Sequence, residues 1–379
     1  MAPKTVLYLT PSVRMLGARQ SLLALARGLD RERYWPLVCC QSPGGLTQAL
    51  EREGVECVFL KTGWWRKARY WPRLPLTVAR LIGLIRRRAV DLIHCNEIYP
   101  NPFACLAGGW TGRPVVTHMR LSVTPRLARH YWLRRADRII VVSEAAGRDF
   151  DFWPDKAQRV RVIYNGVDFR QFQLRRPREE IRRELGWPAD AFVVGHIATW
   201  SHRKRQHIAI EAVRELAERF PRLLLALVGG AAQSQREYEG ALRSMIAEWG
   251  LEERVVMRPF TEDVASLCHA IDVNILISGD EGFGRTIIEA GAAGRPSIGA
   301  RVGGIPELIR DGLSGWLVPL DDPRALARRI ESLLTDPLAV ERAGAEARRD
   351  AQERFSVEKH ARQVQAVYDE ILSERAPNK

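Results

Sequence analysis

The chain has 379 residues and a formal net charge of +13, with 46% hydrophobic and 27% charged residues. This length suits two domains of ordinary size, and this composition excludes a disordered chain. No uncharged apolar run approaches the roughly 18 residues that a membrane-spanning helix needs. The sequence therefore predicts a globular protein with two domains.

Charge is distributed unevenly between the two halves of the chain. Residues 1–165 hold 27 Lys and Arg residues against 12 Asp and Glu residues, whereas residues 166–379 hold 31 against 33. A basic surface attracts phosphate groups, so the first half predicts an anionic partner: anionic lipid, a diphosphate-linked acceptor or nucleic acid. A general bias towards arginine explains the choice of cation, but it does not explain the confinement of the excess to one half.

The first half alternates short β-rich runs with amphipathic helical patterns, such as the one over residues 18–29. This alternation is typical of a parallel sheet that is covered by helices on both faces. The predicted strands are 4–10, 35–41, 55–60, 91–96, 114–119, 138–143 and 160–164.

A second alternating set follows a polar, arginine-rich stretch over about 165–190, which predicts an interdomain linker. Helical patterns then extend from about 323 to 374. The sequence therefore predicts an α/β protein with two Rossmann-like, doubly wound domains that face a central cleft, where ligands of such sheets bind. The predicted strands of the second set are 192–195, 223–228, 254–257, 272–277, 296–300 and 315–318.

The segment 278–291 combines two acids with closely spaced glycines. A predicted buried strand ends before it and a predicted helix follows, so its backbone N–H groups point towards an anion at a helix N-terminus. Gly282 and Gly284 allow close approach of a ligand. Glu281 and Glu289 lie about two helical turns apart. This spacing favours a long ligand with hydroxyl groups at both ends and phosphate between them.

The same segment has a specific resemblance. Residues 281–296 read E-G-F-G-x-x-x-x-E-A-x-A-x-G-x-P, which resembles the signature of the retaining GT-B glycosyltransferase family 4, also called group 1. Residues 302–307 resemble its G-G-x-P-E turn, and residues 311–318 resemble its D-G-x-x-G-x-L-V segment. Residues 162–168 resemble its I-x-N-G-V-D junction between domains. The four matches follow the family's order, and the resemblance covers nearly the whole chain.

The resemblance implies roles for the acids and glycines of this segment. Glu289 would bind the ribose hydroxyls of a nucleotide sugar donor. Glu281 would bind hydroxyls of the transferred sugar and count among the catalytic residues, with backbone N–H groups from Gly282, Phe283 and Gly284. The alternative for Glu289 is a solvated acid on a helix.

Arg203 and Lys204 follow the first strand of the second domain, where the family places an Arg and a Lys. The resemblance implies that both bind the donor diphosphate, on which charge develops as the glycosidic bond breaks, and so contribute to catalysis. His196 stands at the position of the family's usual arginine after the strand glycine, and the loop is longer. The alternative is a solvated turn.

The first β–α turn, residues 11–19, departs from the family's G-G-x-E pattern. Gly17 remains and would let the backbone approach the diphosphate, whereas Leu16 and Arg19 replace the first glycine and the acid. This loss indicates a different acceptor, for which Arg14 and Arg19 are candidate ligands.

His118 ends a predicted strand at a position where the family often carries a histidine near the reacting carbon. We expect it to act in catalysis; the alternative is a satisfied core histidine. Arg120, two residues on, would contact acceptor or phosphate. The resemblance implies front-face attack in which the leaving phosphate helps to deprotonate the acceptor, so the protein contributes positioning and electrostatics.

The segment from Trp64 to Arg73 interleaves aromatic and basic residues. Such a segment suits an anionic membrane surface, and we expect peripheral contact there. A nucleic-acid stacking surface, which we favour less, and an ordinary surface loop with tucked tryptophans are the alternatives. The N-terminus enters a strand without room for a signal peptide, and six cysteines show no C-x-x-C spacing, which predicts a cytoplasmic protein.

No zinc spacing occurs in the sequence. Asp149-Phe150-Asp151 spells the D-x-D of the other major glycosyltransferase fold, but the resemblance makes it incidental here. We therefore expect neither a metal ion nor a cofactor.

These observations predict a retaining glycosyltransferase that moves a hexose from a UDP- or GDP-linked sugar to a glycan or lipid-linked acceptor, in cell-surface polysaccharide synthesis. Residues 1–165 would bind the acceptor, with a C-terminal helix in 359–379 packing back onto them, and residues 170–358 would bind the donor. Two alternatives remain. One is a sugar-nucleotide epimerase of similar fold, which turns over donor alone. The other is a non-catalytic basic protein that binds RNA or membranes.

Overall fold

A computed structural model describes most of the chain, namely residues 2–11, 13, 17–61, 65 and 72–375. The chain divides into two compact units: Met1–Gly166 with Val357–Lys379, and Val167–Ser356. Among the described helices, none is both long enough and apolar enough to cross a membrane.

The first unit is built on a parallel sheet whose strand order is β3-β2-β1-β4-β5-β6-β7. Its strands are β1 (Lys4–Leu9), β2 (Tyr34–Cys40), β3 (Glu56–Phe59), β4 (Val90–Cys95), β5 (Val115–Met119), β6 (Arg138–Val141) and β7 (Val160–Val162). Its helices up to the junction are α1 (Gly17–Gly28), α2 (Gly45–Arg52), α3 (Leu74–Arg87), α4 (Asn101–Thr111), α5 (Pro125–His130), α6 (Glu144–Arg148) and α7 (Lys156–Arg159).

Strand β1 explains why this sheet is covered on both faces. Leu7 and Leu9 belong to a hydrophobic cluster on one face, and Val6 and Tyr8 belong to a cluster on the other. Because successive side chains of a strand point to opposite faces, an unbroken apolar run requires a helical layer on each side.

The second unit repeats the design with the strand order β10-β9-β8-β11-β12-β13. Its strands are β8 (Phe192–Ile197), β9 (Leu223–Gly229), β10 (Val255–Pro259), β11 (Val273–Leu276), β12 (Ser297–Ala300) and β13 (Gly315–Val318). Its helices are α8 (Arg178–Glu184), α9 (Gln206–Leu216), α10 (Arg236–Glu248), α11 (Val264–Ala270), α12 (Arg285–Ala292), α13 (Ile305–Leu308), α14 (Pro323–Thr335) and α15 (Pro337–Phe355).

The last helix, α16 (Val357–Glu374), belongs to the first unit and is held there by polar contacts. The hydroxyl of Tyr368 lies 3.0 Å from that of Tyr8 and 2.6 Å from Nδ1 of His94. Glu370 pairs with Arg138 and with Arg161, at 3.0 and 2.5 Å. The network ties the end of the chain to strands β1, β4, β6 and β7.

The thirteen strands within the described ranges all coincide with predicted strands to within two residues. The predicted linker over 165–190 was wrong in one respect, because it contains α8. Arg182 of this helix is 3% exposed and donates to three backbone carbonyl oxygens and to Asp272. These contacts fix α8 against the second unit.

Both sheets reverse their strand order at one point. The reversal lies between β1 and β4 in the first unit and between β8 and β11 in the second. At such a point the loops after the two strands diverge to opposite faces and leave a crevice at the carboxyl ends, where ligands of doubly wound sheets bind. The two reversals are therefore the places to examine for a site.

Candidate functional site

At the reversal of the second unit, the loop after β8 packs against the loop after β11. The Gly279 N–H donates to the carbonyl oxygen of Arg203 at 2.8 Å. The Arg205 side chain packs over Gly279, since a Cβ atom there would lie 2.9 Å from its Cζ. Their contact brings the predicted cations of one loop to the predicted acid of the other.

Glu281 is the centre of this contact. Its Oε2 accepts hydrogen bonds from Nζ of Lys204 and, at 3.1 Å, from Oγ of Ser278. A guanidinium nitrogen of Arg203 lies 3.7 Å from the same oxygen and donates to the Asp280 carbonyl at 2.6 Å. Within the described part of the chain, Oε1 of Glu281 makes no hydrogen bond. One carboxylate oxygen is therefore open to a ligand hydroxyl.

The Lys204–Glu281 pair is largely removed from water, with side chains 12% and 15% exposed. Burial lowers the pKa of the Lys204 ammonium, and the Glu281 carboxylate opposes this by raising it. A buried ammonium is costly unless it is paired, so Glu281 stabilises the charged form of Lys204. An incoming anion would stabilise that form further.

Glu289 repeats this arrangement on α12. It is 8% exposed, and its Oε1 accepts hydrogen bonds from Nε and a terminal nitrogen of Arg285 at 3.1 and 2.8 Å. Across the described residues, Oε2 of Glu289 has no hydrogen-bond partner. Each acid of the E-x7-E pair thus has one oxygen held by a cation and one oxygen open.

Packing contacts beneath residues 282–284 determine the conformation of the glycine loop between the two acids. Gly284 has φ +105°, in the left-handed region, and a Cβ there would lie 2.9 Å from Leu276. The ring of Phe283 is buried in edge contact with Phe355, at a centroid distance of 6.1 Å. Phe283 can therefore serve a ligand only through its backbone, as can Gly282.

The second motif of the resemblance supports the first. The Gly304 N–H donates to the carbonyl oxygen of Glu281 at 2.9 Å. Gly303 has φ +54°, and a Cβ on it would lie 2.1 Å from the same oxygen. The G-G-x-P-E turn therefore packs its backbone directly on Glu281, which gives a physical reason for the two motifs to occur together.

His196 lies fully buried on β8, and neither ring nitrogen has a hydrogen-bond partner among the described residues. Burial, assisted by the charge of Lys204, lowers the pKa of His196 to about 3. The imidazole is therefore neutral, unlike the arginine that the family usually carries at this position.

Two contributors to the site were missed in the sequence. Ser278 binds Glu281, and Arg285 binds Glu289. The i, i+4 spacing of Arg285 and Glu289 on one helix is a signal that could have identified the second pair. Nothing in the sequence indicates the bond from Ser278.

At the reversal of the first unit, the candidate cation is already paired. Arg19 donates to Oε2 of Glu97 at 2.8 Å, and both side chains are 12% exposed. Gly17 is the first residue of α1. Burial raises the pKa of Glu97 and Arg19 opposes this, so the pair is internally compensated. Arg14, the other cation predicted for this turn, lies outside the described residues.

His118 and Arg120 lie together at the end of β5. His118 is fully buried, its Nδ1 lies 3.3 Å from a nitrogen of Arg120, and its Nε2 has no partner among the described residues. Burial and Arg120 lower the pKa of His118 well below its usual value, so the ring is neutral. Arg120 also donates to Asn96 and to Asn165, which ties β5 to the junction segment.

The Trp64–Arg73 segment lies mostly outside the described residues. Trp65, which is described, donates from Nε1 to the His130 carbonyl at 3.1 Å and makes edge contacts with Phe103 and Trp132. This tryptophan is anchored to its own unit.

The D-x-D acids are engaged separately: Asp149 accepts from the Val123 N–H at 2.8 Å, and Asp151 pairs with Lys156 at 2.5 Å. A search of the described residues finds no group of three or more His, Cys, Asp and Glu side chains that could hold a metal ion.

A doubly wound fold in each of two units, with paired acids and cations at a strand reversal, is consistent with the GT-B architecture that the sequence resembles. Family comparison agrees: Glycosyl transferases group 1 matches residues 177–350, and Glycosyltransferase Family 4 matches residues 16–171. The chain belongs to this family of GT-B glycosyltransferases. The predicted α/β fold and family are thereby confirmed.

Individual relatives extend the comparison. The chain is 30% identical over 376 residues to a D-inositol 3-phosphate glycosyltransferase of Corynebacterium kroppenstedtii, covering 97% of this chain and 78% of the relative. It is 26% identical over 314 residues to the N-acetyl-alpha-D-glucosaminyl L-malate synthase of Bacillus anthracis, covering 80% and 81%. The aligned part spans about half of some curated relatives, such as 53% of the Streptomyces bingchenggensis D-inositol 3-phosphate glycosyltransferase.

Among solved structures, Anabaena HepE in complex with UDP and glucose is similar with a TM-score of 0.87 and 27% identity, covering 97% of this chain and 100% of that one. HepE has also been solved with UDP-glucose, at a TM-score of 0.86.

Proposed function

We propose that this chain transfers a hexose from a nucleotide diphosphate sugar to an acceptor hydroxyl with retention at the anomeric carbon, and that the donor is UDP-linked. The observation that carries the proposal is that Glu281 and Glu289 are bound in the same way. In each, one carboxylate oxygen accepts a hydrogen bond from a cation, and the other has no hydrogen-bond partner among the described residues. The complexes of HepE with UDP and UDP-glucose support UDP over GDP, which remains the alternative donor.

Each side chain of the second unit has a part in this reaction. The open oxygen of Glu289 accepts a hydrogen bond from a ribose hydroxyl. The open oxygen of Glu281 accepts a hydrogen bond from a hydroxyl of the transferred sugar. Lys204 and Arg203 bind the diphosphate, and the N–H groups of the loop over 282–284 approach the ligand closely. The carboxylate of Glu281 keeps Lys204 charged until the diphosphate arrives.

The bond from the anomeric carbon to the diphosphate oxygen breaks as the bond to the acceptor oxygen forms on the same face. The acceptor proton passes to a diphosphate oxygen, so no protein base is required. Negative charge grows on the diphosphate, and fixed cations in a partly dry site stabilise it. His118 is fully buried and neutral, so it does not act as a charged acid, and it stays a catalytic candidate only through Nε2, which has no hydrogen-bond partner among the described residues.

For the acceptor, the proposal keeps a glycan or lipid-linked sugar, bound by the first unit, in cell-surface polysaccharide synthesis on the cytoplasmic side of a membrane. A second candidate is a small anionic acceptor. Two relatives are named for D-inositol 3-phosphate and L-malate, and residues 1–165 carry the whole positive excess of the chain. Arg19 and Arg120 would hold the acceptor-binding loops in place through their bonds to other residues of the first unit. Arg14 remains a candidate acceptor ligand.

The test is a donor and acceptor assay followed by NMR. UDP-glucose, UDP-N-acetylglucosamine and GDP-mannose are each incubated with inositol 3-phosphate, L-malate or a lipid-linked glycan, and product anomers are identified from the C1 coupling constant. An α-linked product from these α-linked donors supports the proposal. A β-linked product would overturn the retaining mechanism.

Donor incubated alone separates the remaining alternatives. Appearance of an epimeric sugar nucleotide without acceptor would replace the proposal by an epimerase. Tight, salt-sensitive RNA binding, with no turnover of any donor and no effect of Glu281→Ala on it, would replace it by a non-catalytic basic protein.

A further inference from the structure

A groove of about 640 Å³ lies in the first unit between the edge strand β3 and helix α3. It lies at the β3 edge of the sheet, two strands from the β1–β4 reversal, so it is separate from the crevice at that reversal. The lining residues are Val58, Phe59, Leu60, Lys61, Arg80, Leu84, Arg87 and Arg88.

The strand side of the groove is a backbone edge. Four consecutive residues, 58–61, line it, which a single face of a strand cannot do because alternate side chains point to opposite faces. The Leu60 N–H donates to Cys40 of β2, so the backbone groups of Phe59 point to the other side. Across the described residues, those groups have no hydrogen-bond partner, and the Phe59 side chain is 48% exposed.

The helix side of the groove is a stripe of cations around one apolar residue. Arg80, Leu84 and Arg87 follow helical spacing and lie on one face of α3. Arg88 at the end of the stripe pairs with Glu56. Arg80, Arg87 and Lys61 have no acidic partner within the described ranges, so the groove keeps three uncompensated positive charges.

We propose that this groove binds an extended acidic segment of a partner protein, which adds a strand to the open edge of β3. Strand addition would satisfy the backbone of Phe59, and alternate side chains would reach the helix stripe. The residues that follow in the sequence do not supply the negative charge that the groove would bind. Residues 62–71 include Arg66, Lys67 and Arg69 but no Asp or Glu.

The stripe also specifies a sequence pattern. Arg80 and Arg87 are separated by roughly 10 Å along the helix axis, because each residue rises about 1.5 Å. Three to four residues of an extended strand cover that length. The partner segment therefore carries two acids four residues apart on one face, with an apolar residue midway between them against Leu84.

The test uses fluorescein-labelled ten-residue peptides and fluorescence anisotropy with the full chain at low salt. The first peptide carries Glu, Leu and Glu at alternate positions separated by Thr. The second has the same composition with the Glu residues adjacent, and the third has the first sequence with its alternate backbone amides methylated. We expect binding of the first, and at least roughly tenfold weaker binding of the others, because the second peptide displaces its two charges from the arginines and the third loses its strand hydrogen bonds.

Variants locate the site. Arg80→Ser/Arg87→Ser should weaken the first peptide roughly tenfold, since it removes two of the three uncompensated charges. The matched control, Arg126→Ser/Arg129→Ser on α5, removes two exposed charges from the same unit and should leave binding within about twofold. Circular dichroism of each variant establishes that it is folded.

Three results would overturn the inference: equal binding of the methylated peptide, an equal loss in the α5 control, or no binding of any peptide. Vesicles containing anionic phospholipid test the other occupant. If they bind the wild type but not Arg80→Ser/Arg87→Ser, and no peptide displaces them, the groove binds a lipid surface and strand addition is wrong. Donor turnover, measured in parallel, reports on the proposed reaction independently.

Discussion

The β8–β11 reversal of the second unit and the β1–β4 reversal of the first have the same topology but different chemistry. In the second unit, Glu281 and Glu289 each retain an open carboxylate oxygen beside a cation. In the first unit, Arg19 is paired with Glu97, and Arg120 is bound to Asn96 and Asn165. The comparison teaches that an open carboxylate oxygen beside a cation does not identify a ligand site by itself, because Glu97, among the described residues, also bonds Arg19 through Oε2 alone. The second unit differs because a glycine loop joins two such acids.

The largest effect is expected from Glu281→Gln. The amide leaves Lys204 without its carboxylate partner and weakens the bond to the transferred sugar, so kcat/KM should fall roughly 10²- to 10³-fold. Steady-state assay of UDP release measures it. Glu262→Gln, an exposed acid of the same unit, is the matched control. An equal loss in that control, or no loss in Glu281→Gln, would remove the distinction between the two reversals.

Arg120→Met is expected to separate stability from donor binding. It breaks the bonds to Asn96 and Asn165 and should destabilise the first unit by roughly 1–3 kcal/mol, because their buried oxygens lose a charged donor. Hydrogen-exchange mass spectrometry should detect faster exchange in the first unit alone. Affinity for UDP, assigned to the second unit, should stay within about twofold. A large loss of UDP affinity would contradict the internal role of Arg120.

His196 predicts a pH dependence. Its pKa is about 3 in the folded chain and about 6.5 when unfolded, so between these values only the unfolded chain binds the proton. Stability from this group is therefore complete above pH 6.5 and is lost as the pH falls, by at most about 1.4 kcal/mol per pH unit.

The leucine variant isolates that contribution. In His196→Leu, urea unfolding between pH 7 and 5 should show a smaller decrease of the unfolding free energy than in the wild type. Identical slopes for wild type and His196→Leu would show that the buried ring does not titrate as described.

The smallest effect is expected from Arg285→Leu. Arg285 holds one oxygen of Glu289 and so orients the other, and its loss should weaken UDP roughly 3- to 10-fold, as for one hydrogen bond to a charged group. Calorimetry with UDP and 2′-deoxy-UDP on both proteins forms a thermodynamic cycle. The loss of affinity caused by Arg285→Leu should be smaller for 2′-deoxy-UDP if Glu289 accepts a hydrogen bond from the 2′-hydroxyl. Arg285→Lys should retain more of the affinity than Arg285→Leu does. A Leu variant with full UDP affinity would reduce Arg285 to a structural contact.

Sequence reasoning succeeded where local pattern determines structure. The strands were predictable because parallel strands buried on both faces are continuous apolar runs, as β1 and β9 are. Glu281 and Glu289 could be selected because their spacing and flanking glycines are local features.

Long-range partners were not predictable. Helix α8 was assigned to a linker because its anchor, Asp272, lies 90 residues from Arg182. The pairing of Arg19 with Glu97 likewise joins helix α1 to the loop after β4, 78 residues away in the sequence, and only the fold of the sheet brings them together. For the same reason, the bonds of Arg120 to Asn96 and Asn165 could not be predicted from its position at the end of a strand.

The central claim is that the second unit binds the nucleotide of the donor through Glu289. Its most direct test is isothermal titration of UDP into wild type, Glu289→Ala and the exposed control Glu252→Ala. We predict that UDP binds the wild type and the control equally and binds Glu289→Ala roughly 10- to 100-fold more weakly, because a charged acceptor of a ribose hydroxyl is lost. Equal UDP affinity of all three proteins, or no binding of UDP or GDP to the folded wild type, would contradict it.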